Sequence, residues 1–115
     1  MSDDSDQGQE RRRATRRRTL LSGILLHGPA SLTVDCAVRD VSDTGAQVRM
    51  FAIGYLARPT ILLIPKLDRA WEVAVAWQRG ASFGLTFARE IDLRAEATSE
   101  PDGAARRIWR ARGGR

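Results

Sequence analysis

The middle of this chain consists of short runs in which apolar and polar residues alternate, separated by turn-forming residues. Alternation with a period of two places one set of side chains on a buried face and the other set in solvent, which is the pattern of a β-strand. Four runs alternate in this way, and two more are apolar and bounded by Gly or Pro: residues 32–39, 46–50, 71–78 and 83–87, then residues 20–26 and 60–64. The sequence therefore predicts six short strands.

The connections between these runs are short and rich in Gly, Pro and Asp, which favours antiparallel pairing. About 85 residues lie between the charged ends of the chain, which is enough for one domain. We expect an all-β fold, a small six-stranded antiparallel barrel within residues 11–92. An acidic leader, disordered over residues 1–10, precedes it, and a helical or flexible basic tail, residues 93–115, follows it.

The net charge of +5 is unevenly distributed. Six arginines lie in residues 11–18 and five in residues 106–115, whereas residues 19–105 carry eight basic and ten acidic groups. A basic stripe over the whole domain, as in proteins that bind duplex nucleic acid, is therefore not expected. No apolar run approaches the roughly 20 residues that span a bilayer. No signal-peptide pattern precedes the strands, and the single Cys36 fits a reducing compartment. We expect a cytoplasmic protein without a membrane span.

The residue types needed for catalysis are scarce. The chain has one histidine, His27, and one cysteine, Cys36, and Ser42 has no imidazole in its own strand region to act as a base. A structural zinc site requires four Cys or His ligands, and only two such residues exist. We expect no enzymatic activity, no metal site and no cofactor.

The arginine-rich run at residues 11–18 is the first feature that points to a ligand. Arg12 and Arg16 are four residues apart, as are Arg13 and Arg17. Guanidinium groups bind phosphates or the edge of guanine through paired hydrogen bonds and stack on bases. Taken alone, the run is typical of a general polyanion-binding or solvated tail as well as of a specific site.

The second feature is the segment Asp40-Val41-Ser42-Asp43-Thr44-Gly45, between two predicted strands. Asp and Ser side chains close turns, and glycine supplies a positive φ or allows a ligand to approach the backbone. The segment is either an ordinary hairpin connection or a place where Asp40 and Ser42 face outward and accept hydrogen bonds from guanine.

Together these residues resemble the PilZ family of bacterial receptors for cyclic di-GMP. That family has the motif R-R-x-x-x-R before its first strand and [D/N]-x-S-x-x-G some two dozen residues later. Here Arg11-Arg12-x-x-x-Arg16 precedes Asp40-x-Ser42-x-x-Gly45 by 24 residues, and both motifs are complete. The segments 75–77 and 83–87 resemble the closing hairpin of the family.

The resemblance implies a PilZ-type six-stranded antiparallel barrel with a short C-terminal helix and a flexible N-terminal arm, residues 11–18. It also implies that the ligand binds on the outer surface of the barrel, at the six motif residues Arg11, Arg12, Arg16, Asp40, Ser42 and Gly45. Arg12 and Arg16, with Arg11 assisting, are expected to bind phosphates and guanine.

Three further residues are weaker candidates. Arg13 and Arg17 offer a second register of the arginine spacing. Trp77 falls near a position where some family members place a side chain beside the ligand, but its alternation with Val73 and Val75 predicts a role in the core.

The predicted function is a cyclic di-GMP receptor or adaptor in second messenger signalling, whose arm folds onto the barrel when the dinucleotide binds. Its second partner is then an effector protein, not identified by the sequence, that recognises the new surface. Two alternatives stay open: a small barrel that binds nucleic acid through its arginine-rich termini, and a PilZ scaffold that binds no nucleotide. The aromatic residues lie mostly on the apolar phase of the strands, which argues against nucleic acid.

Overall fold

The computed structural model describes residues 17–51, 54–95 and 100–114, with residues 17–20 described as backbone only. Within these ranges the chain forms six strands, a short 3-10 helix and one α-helix. The strands are β1 Arg17–His27, β2 Leu32–Val41, β3 Gly45–Met50, β4 Thr60–Ile64, β5 Arg69–Arg79 and β6 Ser82–Ile91. The 3-10 helix is Pro65–Leu67 and the α-helix, α1, is Asp102–Ala111.

The six strands close into a barrel in the order β1-β2-β3-β6-β5-β4, and every neighbouring pair is antiparallel. The predicted fold class, a closed six-stranded antiparallel barrel with a short C-terminal helix, is confirmed. The predicted leader, residues 1–10, and residues 11–16 of the predicted arm lie outside the described residues, while Arg17 and Arg18 of the arm belong to β1. None of the described helices is long and apolar enough to cross a membrane.

The interior of the barrel is filled by the inward phase of the alternating strands. Its largest fully buried members include Leu25, Val38, Val48, Leu62 and Phe83. At its rim the rings of Trp71 and Phe87 stack in parallel planes, with centroids 4.3 Å apart. The period-two pattern of the sequence is thus the pattern of one continuous apolar core.

A second core lies outside the barrel, where α1 covers one side of it. Strand β4 is buried on both faces, because Leu62 and Ile64 point into the barrel while Ile61 and Leu63 pack under the helix. A strand covered on both faces reads as a continuous apolar run instead of an alternating one. This explains why residues 60–64 showed no alternation.

Trp109 anchors α1 on the barrel. Its side chain is 1% exposed, and its indole Nε1 donates a hydrogen bond to Asp68 Oδ1 at 2.8 Å. Arg89 binds both carboxylate oxygens of Asp102, at 3.0 and 2.8 Å, and thereby ties the first turn of the helix to β6. Helix α1 is therefore held at both of its ends.

The C-terminal arginines divide into two groups. Arg106 is buried and its Nε donates to the carbonyl oxygen of Asp92 at 2.9 Å, while Arg107 pairs with Glu100 at 3.1 Å. Arg110 and Arg112 are exposed. Arg106 is therefore part of the packed structure, whereas Arg107 stays exposed with its charge paired to Glu100.

Candidate functional site

A row of four residues crosses the outer face of the barrel from β2 to β5. Each is the direct cross-strand partner of the next, and such partners lie on the same face of a sheet. We call this set the outer row: Asp40, Gln47, Gly84 and Trp77. Two sequence-predicted site residues, Asp40 and Trp77, therefore lie in one line across four strands.

Asp40 reaches the outer row because of a β-bulge in β2. Val38 is inward, and strict alternation would place Asp40 inward as well. The register slips between these residues, so that Arg39 is an extra residue and Val41 is the next side chain that packs against the core. Arg39 and Asp40 therefore both lie on the outside of the barrel, and Asp40 pairs with Gln47 on the outer face. Bulges commonly redirect a side chain in this way.

A second bulge, in β5, brings Trp77 to the same face. Val75 pairs with Leu85 and Trp77 pairs with Gly84, so Ala76 is the extra residue. The indole ring of Trp77 lies on the backbone of Gly84, in the space that a side chain there would occupy. Trp77 thus covers Gly84 from outside the barrel.

The prediction that Trp77 packs in the core is therefore wrong. Its side chain is 41% exposed, because the bulge breaks the alternation that linked it to Val73 and Val75. Phe51 and Tyr55 are 75% and 76% exposed, so three of the seven aromatic residues lie at the surface. Fewer aromatic residues therefore belong to the core than the alternation of the strands indicated.

The segment after Asp40 forms a compact turn between β2 and β3. The backbone N–H of Ser42 donates to the carbonyl oxygen of Gly45 at 2.9 Å, and the N–H of Thr44 donates to Ser42 Oγ at 3.3 Å. The Ser42 hydroxyl donates to the carbonyl oxygen of Gly45 at 3.3 Å. A hydroxyl has one donor and two acceptor positions. Ser42 Oγ also lies 3.5 Å from Thr44 Oγ1, so a ligand that donates to Ser42 Oγ would take the place of this contact.

Gly45 is required by a close approach between strands. A Cβ at this position would collide with the carbonyl oxygen of Leu85 on β6. The N–H of Phe87 donates to the carbonyl oxygen of Thr44 at 2.8 Å, which holds the turn against the same strand. The glycine of the motif therefore fixes the position of the turn through contact with β6, and its φ is not positive.

The turn and the outer row border one surface depression of about 280 Å³. Its lining includes Ser42, Gly45, Gln47, Trp77 and Gly84. The structure thus brings together Ser42, Gly45 and Trp77. Half-buried Asp40 lies next in the outer row, beside Gln47.

The arginine candidates are only partly described. Arg11, Arg12, Arg13 and Arg16 lie outside the described residues, and Arg17 is described as backbone. Arg17 pairs with Val41 at the start of β1, and Arg18 pairs with Asp40. The chain therefore enters the barrel beside the Asp40-x-Ser42 motif.

Sequence reasoning missed Gln47 and Gly84. Gln47 carries no signal of its own, since a polar residue on an exposed strand face is ordinary. Gly84 does carry one, because a glycine inside a strand often marks a close approach of other groups. A larger groove, about 590 Å³, runs beside β5 and is lined by Leu56, Arg58 and Val75 among others. It contains no predicted site residue.

Comparison with known proteins adds no further assignment: no family model matches the chain, and no curated protein matches it.

Proposed function

We propose that this protein is a receptor for cyclic di-GMP, which binds in the depression between the Ser42 turn and Trp77. The observation that carries the proposal is the convergence of Asp40, Ser42 and Trp77 on one outer face, beside the point where the chain enters from its arginine-rich segment. Two separate bulges are needed for this convergence.

Each residue has a chemical role in this proposal. The Asp40 carboxylate accepts from the N1–H and N2–H₂ donors of guanine, and Ser42 Oγ accepts one further hydrogen bond. The exposed ring of Trp77 offers a flat surface on which a base stacks. Arg12 and Arg16, with Arg11 assisting, bind the two phosphates, for which guanidinium groups are suited.

Binding of the dinucleotide draws residues 11–16 onto the barrel in this proposal, because the two negative charges of the phosphates offset part of the repulsion among the six arginines of residues 11–18. The new surface, made of arm, ligand and barrel, is what an effector protein recognises. Ordering by a ligand requires that the ligand contact the ordered state differently from the free state, and the phosphates supply that difference.

Isothermal titration with cyclic di-GMP tests the proposal. We expect wild-type protein to bind, and Asp40→Ala, Arg12→Ala and Arg16→Ala each to lose about tenfold or more in affinity, since a bidentate contact contributes roughly 1–3 kcal/mol. Asp43→Ala is the matched control for Asp40 because Asp43 is an exposed acid in the same turn, and Arg110→Ala is the control for the arginines. Absence of wild-type binding, or equal affinity in Asp40→Ala and Asp43→Ala, would overturn the proposal.

Base selectivity separates guanine recognition from general attraction of anions. Cyclic di-AMP carries the same phosphates but lacks the N1–H donor of guanine, so it should bind more weakly than cyclic di-GMP. Asp40→Ala should reduce the difference in affinity between the two dinucleotides. Arg12→Ala should instead weaken the binding of both and reduce its salt dependence. Equal affinity of the wild type for both dinucleotides would exclude the role given to Asp40.

One observation favours a second candidate, a protein that binds single-stranded nucleic acid. Phe51, Tyr55 and Trp77 are exposed, and exposed aromatic rings are stacking platforms for unpaired bases. If this is the function, an oligonucleotide should bind at least as tightly as cyclic di-GMP, and cyclic di-GMP should not displace it. Displacement by micromolar cyclic di-GMP would favour the receptor.

A further inference from the structure

Strand β6 forms the floor of a strip on the outer face of the barrel that we call the trough, and the ring of Trp77 crosses this strip above Gly84. Its outward residues are small: Ser82, Gly84 and Thr86. The neighbouring strands supply the walls, with Gln47 and Arg49 from β3 on one side and Trp77 and Arg79 from β5 on the other. From Ser82 to Thr86 the strand advances by four residues, which is roughly 13 Å at 3.3 Å per residue. The depression described above is the Thr86 end of this trough.

The other end of the trough is bordered by two arginines. Arg49 and Arg79 are both cross-strand partners of Ser82, one from each side. With about 4.8 Å between neighbouring strands, their Cα atoms are about 10 Å apart. Two arginine side chains from such positions can converge on one phosphate above Ser82, which is too small to block them.

These two arginines differ from three others in the described part of the protein. Arg69, Arg89 and Arg107 each form an ion pair with a carboxylate at 2.8–3.1 Å. Arg49 and Arg79 are exposed and make no ion pair with any described residue. The guanidinium carbon of Arg79 lies over the ring of Trp77, 5.8 Å from the ring centroid, so the charge and the ring belong to one surface.

We infer that Arg49, Arg79 and Trp77 form a phosphate-and-base subsite that belongs to the barrel itself and not to the arm. Its ligand is a phosphodiester-linked nucleotide, with the base on Trp77 and the phosphate between Arg49 and Arg79. The inference rests on the proposed function for its link to cyclic di-GMP, because both use the same trough. The chemistry of the subsite also suits a linear single-stranded oligonucleotide, so the test includes both ligands.

The experiment measures affinity of the full chain for cyclic di-GMP and for hexauridylate, by titration at two salt concentrations. The variant Arg49→Gln/Arg79→Gln removes both charges while retaining polar side chains. Its matched control, Arg58→Gln/Arg110→Gln, removes the same charge from two exposed arginines outside the trough. Circular dichroism and thermal unfolding verify that each variant is folded.

We expect the trough variant to bind cyclic di-GMP at least tenfold more weakly than wild type, and the control to stay within threefold. Arg49→Lys/Arg79→Lys should recover part of the loss, because lysine keeps the charge but not the paired hydrogen bonds. Binding also stacks a base on Trp77. Quenching of tryptophan emission is therefore expected in wild type, and Trp77→Phe should remove it because Trp71 and Trp109 are buried.

The two ligands separate failure of the inference from failure of the proposed function. If wild type binds cyclic di-GMP and the trough variant behaves like the control, the subsite is refuted while the receptor stands. If cyclic di-GMP does not bind but hexauridylate binds and loses tenfold or more in the trough variant, the receptor is refuted while the subsite stands. If neither ligand binds, both are refuted.

Discussion

The indole ring of Trp77 lies directly on the backbone of Gly84, in the space that a Cβ at position 84 would need. Gly84→Ala should therefore push the ring away from the floor of the trough. We expect faster quenching of tryptophan emission by acrylamide and, since base–aromatic stacking contributes roughly 1–3 kcal/mol, a loss of about fivefold or more in affinity for cyclic di-GMP.

Gly54→Ala is the matched control for this variant, because a Cβ at Gly54 meets no atom within 4 Å. Both changes add one methyl group to the surface, but only one of them contacts Trp77. Identical acrylamide quenching in the two variants would show that the ring does not depend on the glycine.

The close approach of Gly45 to strand β6 should make the variant Gly45→Ala less stable than wild type. Gly45→Ala places a methyl group against the carbonyl oxygen of Leu85, a backbone atom that cannot turn away. Overpacking of this kind typically costs about 1–3 kcal/mol. The free energy of unfolding in urea should fall by that amount relative to wild type and to Gly54→Ala. A change below about 0.5 kcal/mol would mean that β3 and β6 separate easily at this point.

The helix should contribute a large part of the stability of the barrel through Trp109. Removal of a buried tryptophan side chain costs about 3–5 kcal/mol, so Trp109→Ala should lower the free energy of unfolding by that amount. Trp109→Phe keeps most of the apolar area but loses the hydrogen bond to Asp68 Oδ1, which should cost about 1 kcal/mol. Arg110→Ala, on the exposed side of the helix, should leave the value unchanged.

The buried thiol of Cys36 should make the folded protein less stable at alkaline pH. Burial, with a smaller contribution from the charge of Asp35, raises the pKa of the Cys36 thiol from 9.0 to about 12. Above pH 9 the unfolded chain releases this proton and the folded chain retains it, so the thiol's contribution is complete below pH 9 and is lost as pH rises towards 12. Each pH unit in that window should shift the folding equilibrium roughly tenfold towards the unfolded state.

The measurement compares wild type with Cys36→Ala by urea unfolding between pH 8 and pH 10.5. Every other ionisable group is present in both proteins, so its effect cancels in the difference. The stability of wild type should fall relative to the variant as pH rises. Parallel curves would show that the thiol titrates normally in the folded protein.

The number of strands and their approximate positions could be predicted from the sequence because alternation and turn chemistry are local properties. All six predicted strands are present, and a short connection at residues 80–81 joins β5 to β6. The Asp40-x-Ser42-x-x-Gly45 segment forms the predicted turn between two strands. The burial of Ile61 and Leu63 under α1 required the tertiary structure, since it depends on where a distant helix packs.

The candidate site shows the limit of the sequence more clearly. By itself, the sequence determined that Asp40 and Ser42 lie at the end of a strand and that Trp77 lies on a strand. It could not determine which way Asp40 and Trp77 face, and strict alternation places both inward. The tertiary structure decided this through the bulges at Arg39 and Ala76, which turn both side chains outward onto one row. A bulge is one extra residue in one of two paired strands. Whether it forms depends on the register with the partner strand, so the sequence of either strand alone does not reveal it.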